Sequence, residues 1–246
     1  IPSLTWNPKM NNLSILTALF SRIPAAARAG HREVTRKIVV AAGDFHGAVA
    51  KVESDADLSP AGRAKALAPA LRSAAAQLRR FERQAAHAAR QISAADARIR
   101  KAVIGERDPD DAERRAVLRQ MADNDRVQLV LKDPAMRAAA LRLPECSGVD
   151  HEIVERALEM AIAEMAPNES AALETDRESA EVLRMAVETF ATQLRAAPVV
   201  IDRISGEPRS FANADEFLQF TAEGAPQPSP RDIAIEEAEI DLREAA

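Results

Sequence analysis

The sequence predicts an all-α protein: a long antiparallel helical hairpin of the coiled-coil type, a smaller helical domain and a C-terminal tail helix. Three observations predict this class. More than a fifth of the residues are Ala, the strongest helix former, and only 8 are Gly. Apolar residues recur at alternating spacings of four and three over two long segments, a pattern typical of helices that pack along a seam. The one strand-like segment, residues 199–201, is too short to form a sheet.

Composition divides the chain into four predicted parts. Residues 1–30 form an irregular arm followed by a short helix, and residues 31–105 form the helical hairpin. Residues 106–222 form the smaller domain, whose shorter helical segments are separated by Pro and Gly. Residues 223–246 form a Pro-rich linker and an acidic tail helix.

The first arm of the hairpin begins near His31 and carries a heptad seam. The apolar positions of that seam are Val34, Ile38, Ala41, Phe45, Ala48 and Val52. The polar segment 54–59 ends the pattern, and Ser59 followed by Pro60 is a strong signal for the start of a second helix. We expect this second arm to end at about Ile104, before Gly105.

The seam of the second arm continues without a slip over five heptads. Every second seam position holds mostly a large apolar residue, and the positions between them hold mostly Ala. Because Ala is small, the sequence predicts a close approach of the partner helix. At 1.5 Å per residue this seam is roughly 50 Å long. The residues that we predict to form the packing or oligomerisation seam are Leu67, Leu71, Leu78, Phe81, Ile92 and Ile99.

In the second half of the chain a capping box predicts the start of one helix, and an amphipathic pattern predicts the tail helix. Thr175 with Glu178 has the spacing of a capping box and predicts a helix that ends before Pro198. The tail helix, residues 230–244, is amphipathic and too short to be stable alone, so it should dock on a partner or on the body of the protein. The apolar residues predicted to make that contact are Ile233, Ile235 and Leu242.

Charge is distributed unevenly, although the net charge is only −5. Residues 59–101 are basic and residues 145–188 are acidic, so these regions could pair within one molecule or between subunits. The predicted charge-pairing face of the long helix consists of Arg72, Arg79, Arg83 and Arg90. A nucleic-acid surface is an alternative interpretation of the basic side chains of this helix, but the one aromatic among them, Phe81, belongs to the apolar seam and is not free for base stacking. These basic side chains are Arg72, Arg79, Arg80, Arg83, Arg90, Arg98, Arg100 and Lys101.

One short motif suggests an enzyme. The segment Gly43-Asp44-Phe45-His46-Gly47 follows a hydrophobic run and resembles the first metal-binding motif of calcineurin-like metallophosphoesterases. That resemblance implies a strand-to-loop junction in which Asp44 and His46 are metal ligands. The other motifs of that family are absent, so we favour a heptad helix that tolerates two Gly and retain the phosphoesterase only as a minor alternative.

Other chemical signals are weak. The sequence contains no Gly-rich phosphate loop, no nucleophile elbow and no paired Cys. The single Cys146 excludes an internal disulfide framework, and the apolar run 13–20 is too short to span a bilayer. We therefore predict a protein without catalytic residues, metal, cofactor or membrane contact.

Two segments resemble structural proteins of tailed bacteriophages. They are DADLSPAGRAKAL, residues 55–67, and LVLKDPAMRAAALRLP, residues 129–144. In such proteins the first segment lies between an N-terminal helix and a long Arg/Ala-rich one, as it does here. The resemblance implies a non-enzymatic virion component of the head, neck or tail that is assembled in the bacterial cytoplasm. Its partners would be copies of itself and other structural proteins. The alternative is a bacterial cytoplasmic coiled-coil adaptor or a nucleic-acid-associated binding module.

Overall fold

The computed structural model describes residues 12–196 and 228–241. These residues form nine α-helices and no strand, which confirms the predicted all-α class. The helices are α1 Asn12–Ser21, α2 Ala29–Ser54, α3 Pro60–Ile104, α4 Asp111–Gln120, α5 Asp123–Lys132, α6 Pro134–Arg142, α7 His151–Met165, α8 Pro167–Arg195 and α9 Pro230–Asp241. A short 3-10 turn, Pro144–Cys146, follows α6.

The ends of α3 lie where the local sequence places them. The Ser59 hydroxyl accepts a hydrogen bond from the Gly62 amide at 3.1 Å, and Pro60 occupies the first position of the helix. At the other end Gly105 adopts φ 68°, a left-handed conformation that costs Gly little and terminates helices. Pro69 lies inside α3, where it lacks the amide that would bond to the Lys65 carbonyl.

The chain divides into two compact units whose boundaries differ from the predicted domains. The first unit comprises residues 1–90 and 175–246, and the second comprises residues 91–174. The division therefore falls inside α3 and inside α8. The observed boundaries differ from the predicted ones for two reasons. The second half of α8 contributes to the same core as α2, and the end of α3 shares a core with the shorter helices.

The core of the first unit is built from α1, α2, α3, α8 and α9. Its largest fully buried side chains are Leu16, Ile38, Leu67, Leu78, Leu183, Phe190, Leu194 and Ile240. Phe81 of α3 and Phe190 of α8 are in contact, with ring centroids 6.3 Å apart and ring planes at 58°. The core thus joins helices from the beginning, the middle and the end of the chain.

The second unit packs α4, α5, α6 and α7 with the end of α3. Its core residues are Val103, Leu118, Val130, Ala140, Leu141, Val154, Ala157, Leu158 and Ala161. Asp133 caps α6, since its carboxylate accepts hydrogen bonds from the amides of Ala135 at 2.8 Å and Met136 at 3.1 Å.

The predicted capping box of Thr175 and Glu178 is wrong. Helix α8 begins at Pro167 and passes through Thr175 without interruption. The segment before Thr175 contains Ala171, Ala172 and Leu173, which favour helix, and nothing in it breaks the backbone ladder. The predicted segment 199–201 lies outside the described residues.

Leu78 tests the packing of the first unit because it is only 2 % exposed. Leu78→Asp removes a buried apolar side chain and places an unpaired charge in the core, so we expect the free energy of unfolding to fall by about 4–5 kcal/mol. Urea unfolding followed by circular dichroism measures this change. Ala76→Asp, at an exposed position of the same helix, is the matched control and should cost less than about 1 kcal/mol. Equal losses in the two variants would contradict the buried seam.

Candidate functional site

The most distinctive surface of the first unit is formed where α9 lies against α2 and α3. Ser229 caps α9, and its hydroxyl accepts a hydrogen bond from the Asp232 amide at 3.2 Å. The last two turns carry four carboxylates, on Glu236, Glu237, Glu239 and Asp241. No basic residue accompanies them between positions 232 and 241, so their charge is available to neighbouring helices.

Residues of α2 and α3 form a complementary surface, which we call the cradle. It consists of Gly30 and Lys37 of α2 and of Arg80, Arg83, Gln84, His87 and Arg90 of α3. The α3 members lie at helical spacings of three and four, so they form one stripe along the helix. This stripe runs beside the buried seam.

Two carboxylates of α9 are held by several donors each. The Arg83 guanidinium donates to both oxygens of Glu236, at 2.9 Å and 2.8 Å. Glu239 accepts from Lys37 at 3.2 Å and from Arg80 at 2.7 Å. The bidentate pair fixes orientation as well as charge, because a planar guanidinium matches the two carboxylate oxygens.

Gln84 of α3 forms hydrogen bonds with both the backbone and a side chain of α9. It is 1 % exposed, and its amide nitrogen donates to the Glu236 carbonyl and to the Glu239 carboxylate, both at 3.0 Å. Burial would raise the pKa of Glu239, but hydrogen bonds from Lys37, Arg80 and Gln84 outweigh it and the pKa is lowered. Because the pKa of Glu239 is lowered, its ionised carboxylate contributes to the stability of the folded protein. That contribution is present above pH 4.5 and is lost as the pH falls below that value.

The end of α9 is held by His87 and Arg90. The His87 ring lies 3.1 Å from the Asp241 carboxylate through Nε2 and 3.3 Å from Glu237 through Nδ1. Arg90 donates to Glu237 at 3.1 Å. The Arg90 guanidinium and the polar His87 ring therefore lie at the C-terminal end of α9, where the helix dipole is negative.

Gly30 allows the backbones of α2 and α9 to meet. A Cβ at this position would lie 2.3 Å from the Ile240 carbonyl oxygen and 2.4 Å from that of Glu239. Any side chain would therefore force α9 away. The contact also brings the N-terminal end of α2 against the C-terminal end of α9, so opposite ends of two helix dipoles meet.

A buried polar network lies near this contact. His31 is 1 % exposed and its Nδ1 lies 2.6 Å from the Ser179 hydroxyl of α8. Arg28 donates to Asp176 at 2.8 Å and also lies 3.9 Å from Asp241 of α9. Burial lowers the pKa of His31 to about 4, partly offset by the negative charge of Asp176. The histidine is thus neutral in the folded protein near pH 7.

This network lacks the geometry of a nucleophilic site. The Ser179 hydroxyl donates to the Asp176 carbonyl at 2.9 Å, and the Ser179 side chain is completely buried. A nucleophile must be reachable by its substrate and hydrogen-bonded to a base that can take its proton. The arrangement around α9 is instead a charge-matched receptor for a helix.

The structure places the predicted seam residues in both units. Leu67, Leu71, Leu78 and Phe81 are buried in the core of the first unit. Ile92 is half-buried. Ile99 is also half-buried and packs against the core of the second unit.

The predicted charge-pairing face is only partly engaged by α9. Arg83 and Arg90 contact it, whereas Arg72 and Arg79 are exposed on α3. Sequence reasoning missed other members of the cradle, namely Gly30, Lys37, Gln84 and His87, and it named Arg80 only within the alternative nucleic-acid surface. The signal that could have revealed the α3 members is that polar residues recur along α3 at spacings of three and four, as the apolar seam residues do.

The apolar contact of α9 also differs from the expectation. Ile240 is completely buried, whereas Ile233 is half-buried and Ile235 is 50 % exposed. The reason is rotational: Glu236 and Ile240 are four residues apart and share the face that meets the cradle, and Ile235 points elsewhere. Leu242 lies outside the described residues.

The Gly43–Gly47 motif does not form the strand-to-loop junction that its resemblance requires. It lies within α2, where Phe45 is buried in the core and Asp44 and His46 are exposed. Two residues that are two positions apart diverge on a helix, so Asp44 and His46 do not converge on one ion. Within residues 12–196 and 228–241, no cluster of three or more His, Cys, Asp or Glu could hold a metal.

Comparisons with known proteins provide no relative. No family profile, no curated protein and no solved structure matches the chain. In the described part of the chain, no helix combines the length and the hydropathy needed to cross a membrane.

Gly30→Ala tests the seating of α9. Ala favours helix over Gly by about 1 kcal/mol, so propensity alone would stabilise α2, but the added Cβ should displace α9 from the cradle. Hydrogen exchange read by mass spectrometry should show lost protection over residues 230–241. Gly47→Ala is the control, because nothing lies within 4 Å of a Cβ at that position. Undiminished protection of α9 in Gly30→Ala would contradict the backbone contact.

The buried His31 makes stability depend on pH. Its pKa is about 4 in the folded protein and 6.5 in the unfolded chain, so the unfolded chain binds the extra proton as the pH falls. Stability is therefore full above pH 6.5 and is lost progressively toward pH 4, by about 2 kcal/mol between pH 7 and pH 5. Urea unfolding across this range should show the loss in the parent and a shallower one in His31→Gln. His46→Gln, an exposed position on α2, should leave the slope unchanged.

Proposed function

We propose that the chain is a non-enzymatic structural subunit of a larger assembly and that it acts through helix–helix contacts. The observation that carries this proposal is the docking of α9 in the cradle. A helix from the end of the chain is held by Arg80, Arg83 and Gln84, which precede it by about 150 residues in sequence. Charge pairs, a close backbone approach and one buried apolar side chain together give a specific helix-binding surface.

The resemblance to tailed-phage structural proteins supports a virion as the assembly. Residues 55–67 cover the connection after α2 and the first two turns of the Arg/Ala-rich α3, and residues 129–144 cover the end of α5 and all of α6. These positions fit the arrangement that the resemblance implies, in which the first segment precedes a long helix. We therefore propose a head, neck or tail component that is assembled in the bacterial cytoplasm.

The adaptor or nucleic-acid alternative is less well supported. Three arginines of the basic helix, Arg80, Arg83 and Arg90, already form ion pairs with α9. A nucleic acid on this face would have to displace α9 and compete with its carboxylates. Such binding would weaken steeply with salt, since each phosphate contact releases counterions.

Two measurements test the proposed function. Light scattering of the purified chain over a hundredfold range of concentration should show a defined oligomer. Mass spectrometry of gradient-purified particles, from a tailed phage that encodes the chain, should find it in stoichiometric amount.

A chain that is monomeric throughout and absent from particles, though present in the lysate, would contradict the proposal. A DNA titration at increasing salt would then test the alternative. Steep linear loss of affinity with log salt would favour the nucleic-acid interpretation.

A further inference from the structure

The contact between α9 and the cradle is mostly polar. Of the large side chains of α9, only Ile240 is completely buried. The other contacts are the ion pairs and hydrogen bonds of Glu236, Glu237, Glu239 and Asp241. Ion pairs that are partly exposed contribute little individually, because water solvates the separated charges well. The docked helix is therefore held chiefly by polar contacts, among which the pair of Arg83 with the nine-tenths buried Glu236 carboxylate is the best shielded from water, and not by a large apolar surface.

An open cradle would also be compatible with water. Its α3 stripe consists of Arg80, Arg83, Gln84, His87 and Arg90, all of which can be hydrated. Removal of α9 would uncover chiefly these polar groups and the neighbours of Ile240. A surface of this composition can open and close without exposing a large apolar patch, which is a requirement for a helix that changes partners.

The chain between α8 and α9 is long enough for such a change. Residues 196–229 separate the two helices in sequence. At about 3.3 Å per residue, their maximum reach is roughly 110 Å, more than a small domain measures. This length permits α9 to reach its own cradle or that of an adjacent copy.

Exchange between copies would reproduce every contact seen within one chain. When identical protomers swap an identical element, the docked contacts are the same and only the tether differs. In an assembly of the kind proposed above, neighbouring copies are held side by side, so the cradle of an adjacent copy lies within reach of each tail. Ile235, which is 50 % exposed on docked α9, offers an additional apolar contact between copies.

We propose that the cradle is an exchange site in which α9 of one copy docks on α2 and α3 of a second copy. The occupant is the α9 helix of this same chain, and the inference rests on the proposed role as an assembly subunit. Swapped tails would link adjacent copies by the charge pairs of Arg80 and Arg83 with Glu239 and Glu236.

Complementary charge reversals in the full chain test this proposal. A tail-reversed chain carries Glu236→Arg with Glu239→Arg, and a cradle-reversed chain carries Arg80→Glu with Arg83→Glu. Neither chain can pair its own tail with its own cradle. Each can pair with the other, since an intact tail meets an intact cradle and a reversed tail meets a reversed cradle.

Analytical ultracentrifugation gives the readout. Cys146 is the single cysteine and is exposed, so it accepts one fluorophore on the tail-reversed chain. We expect the labelled species to shift toward twice its mass when cradle-reversed chain is added. Addition of unlabelled tail-reversed chain should produce no shift. Absence of a shift in the first mixture, or an equal shift in both, overturns the proposal.

A chain with all four reversals is the matched control for folding. It restores opposite charges within one molecule, so α9 should regain the hydrogen-exchange protection of the parent. A synthetic peptide of residues 228–246 gives a further arm. One outcome is that the peptide binds the tail-reversed chain while the two full chains do not associate. In that case the cradle accepts a free acidic helix but not the α9 helix of another copy. The exchange proposal is then overturned in favour of an acidic helix from another protein.

The failure of this inference is distinguishable from failure of the proposed function. If the parent forms a defined oligomer and occurs in particles but the reversed pair does not associate, exchange is wrong and the assembly role stands. If the parent neither oligomerises nor occurs in particles, the assembly role is wrong whatever the reversed pair does.

Discussion

The packing of α3 against α2 and α8 is the interaction on which the first unit depends. Leu78 and Phe81 of α3 are buried with Ile38 of α2 and Phe190 of α8. This packing fixes the rotation of α3 about its axis. Because the polar stripe that includes Gln84 is on the same rigid helix, the core also determines the direction in which the stripe faces. The receptor for α9 is therefore a consequence of the seam and requires no separate scaffold.

The second unit is stabilised differently, because its helices are short and its core contains many Ala. Helices of nine or ten residues leave a large share of their carbonyls without intrahelical partners. The buried Arg137 and the half-buried Arg126 supply those donors. Arg137 donates to the carbonyls of Val130 and Leu131 near the end of α5, and Arg126 donates to those of Leu118 and Met121 around the end of α4. A guanidinium has five donors in a fixed plane, so one side chain can cap several carbonyls.

Local signals predicted the helices well where capping and periodicity agreed. The start of α3 at Pro60 and its end at Ile104 could be predicted because a cap, a proline and a glycine lie at the boundaries. The capping box at Thr175 failed because a cap motif without a helix breaker before it does not stop a favourable helix. The site was harder to predict. Gly30 matters only through the approach of α9, about 210 positions later in the sequence, and periodicity carries no information about such a contact.

The two acidic helices α8 and α9 differ in whether their carboxylates form ion pairs within the same helix. On α8, Glu181 and Glu188 both form ion pairs with Arg184 of the same helix, and the hydrogen bonds that Arg184 donates to Glu181 raise the pKa of its guanidinium. On α9, like charges recur at spacings of three and four, near the helix end whose dipole opposes them. An isolated α9 would thus be disfavoured, and the cradle supplies the missing cations. Formation of the helix and docking are therefore coupled, because the cations that offset the repulsion along α9 are those of the surface on which it docks.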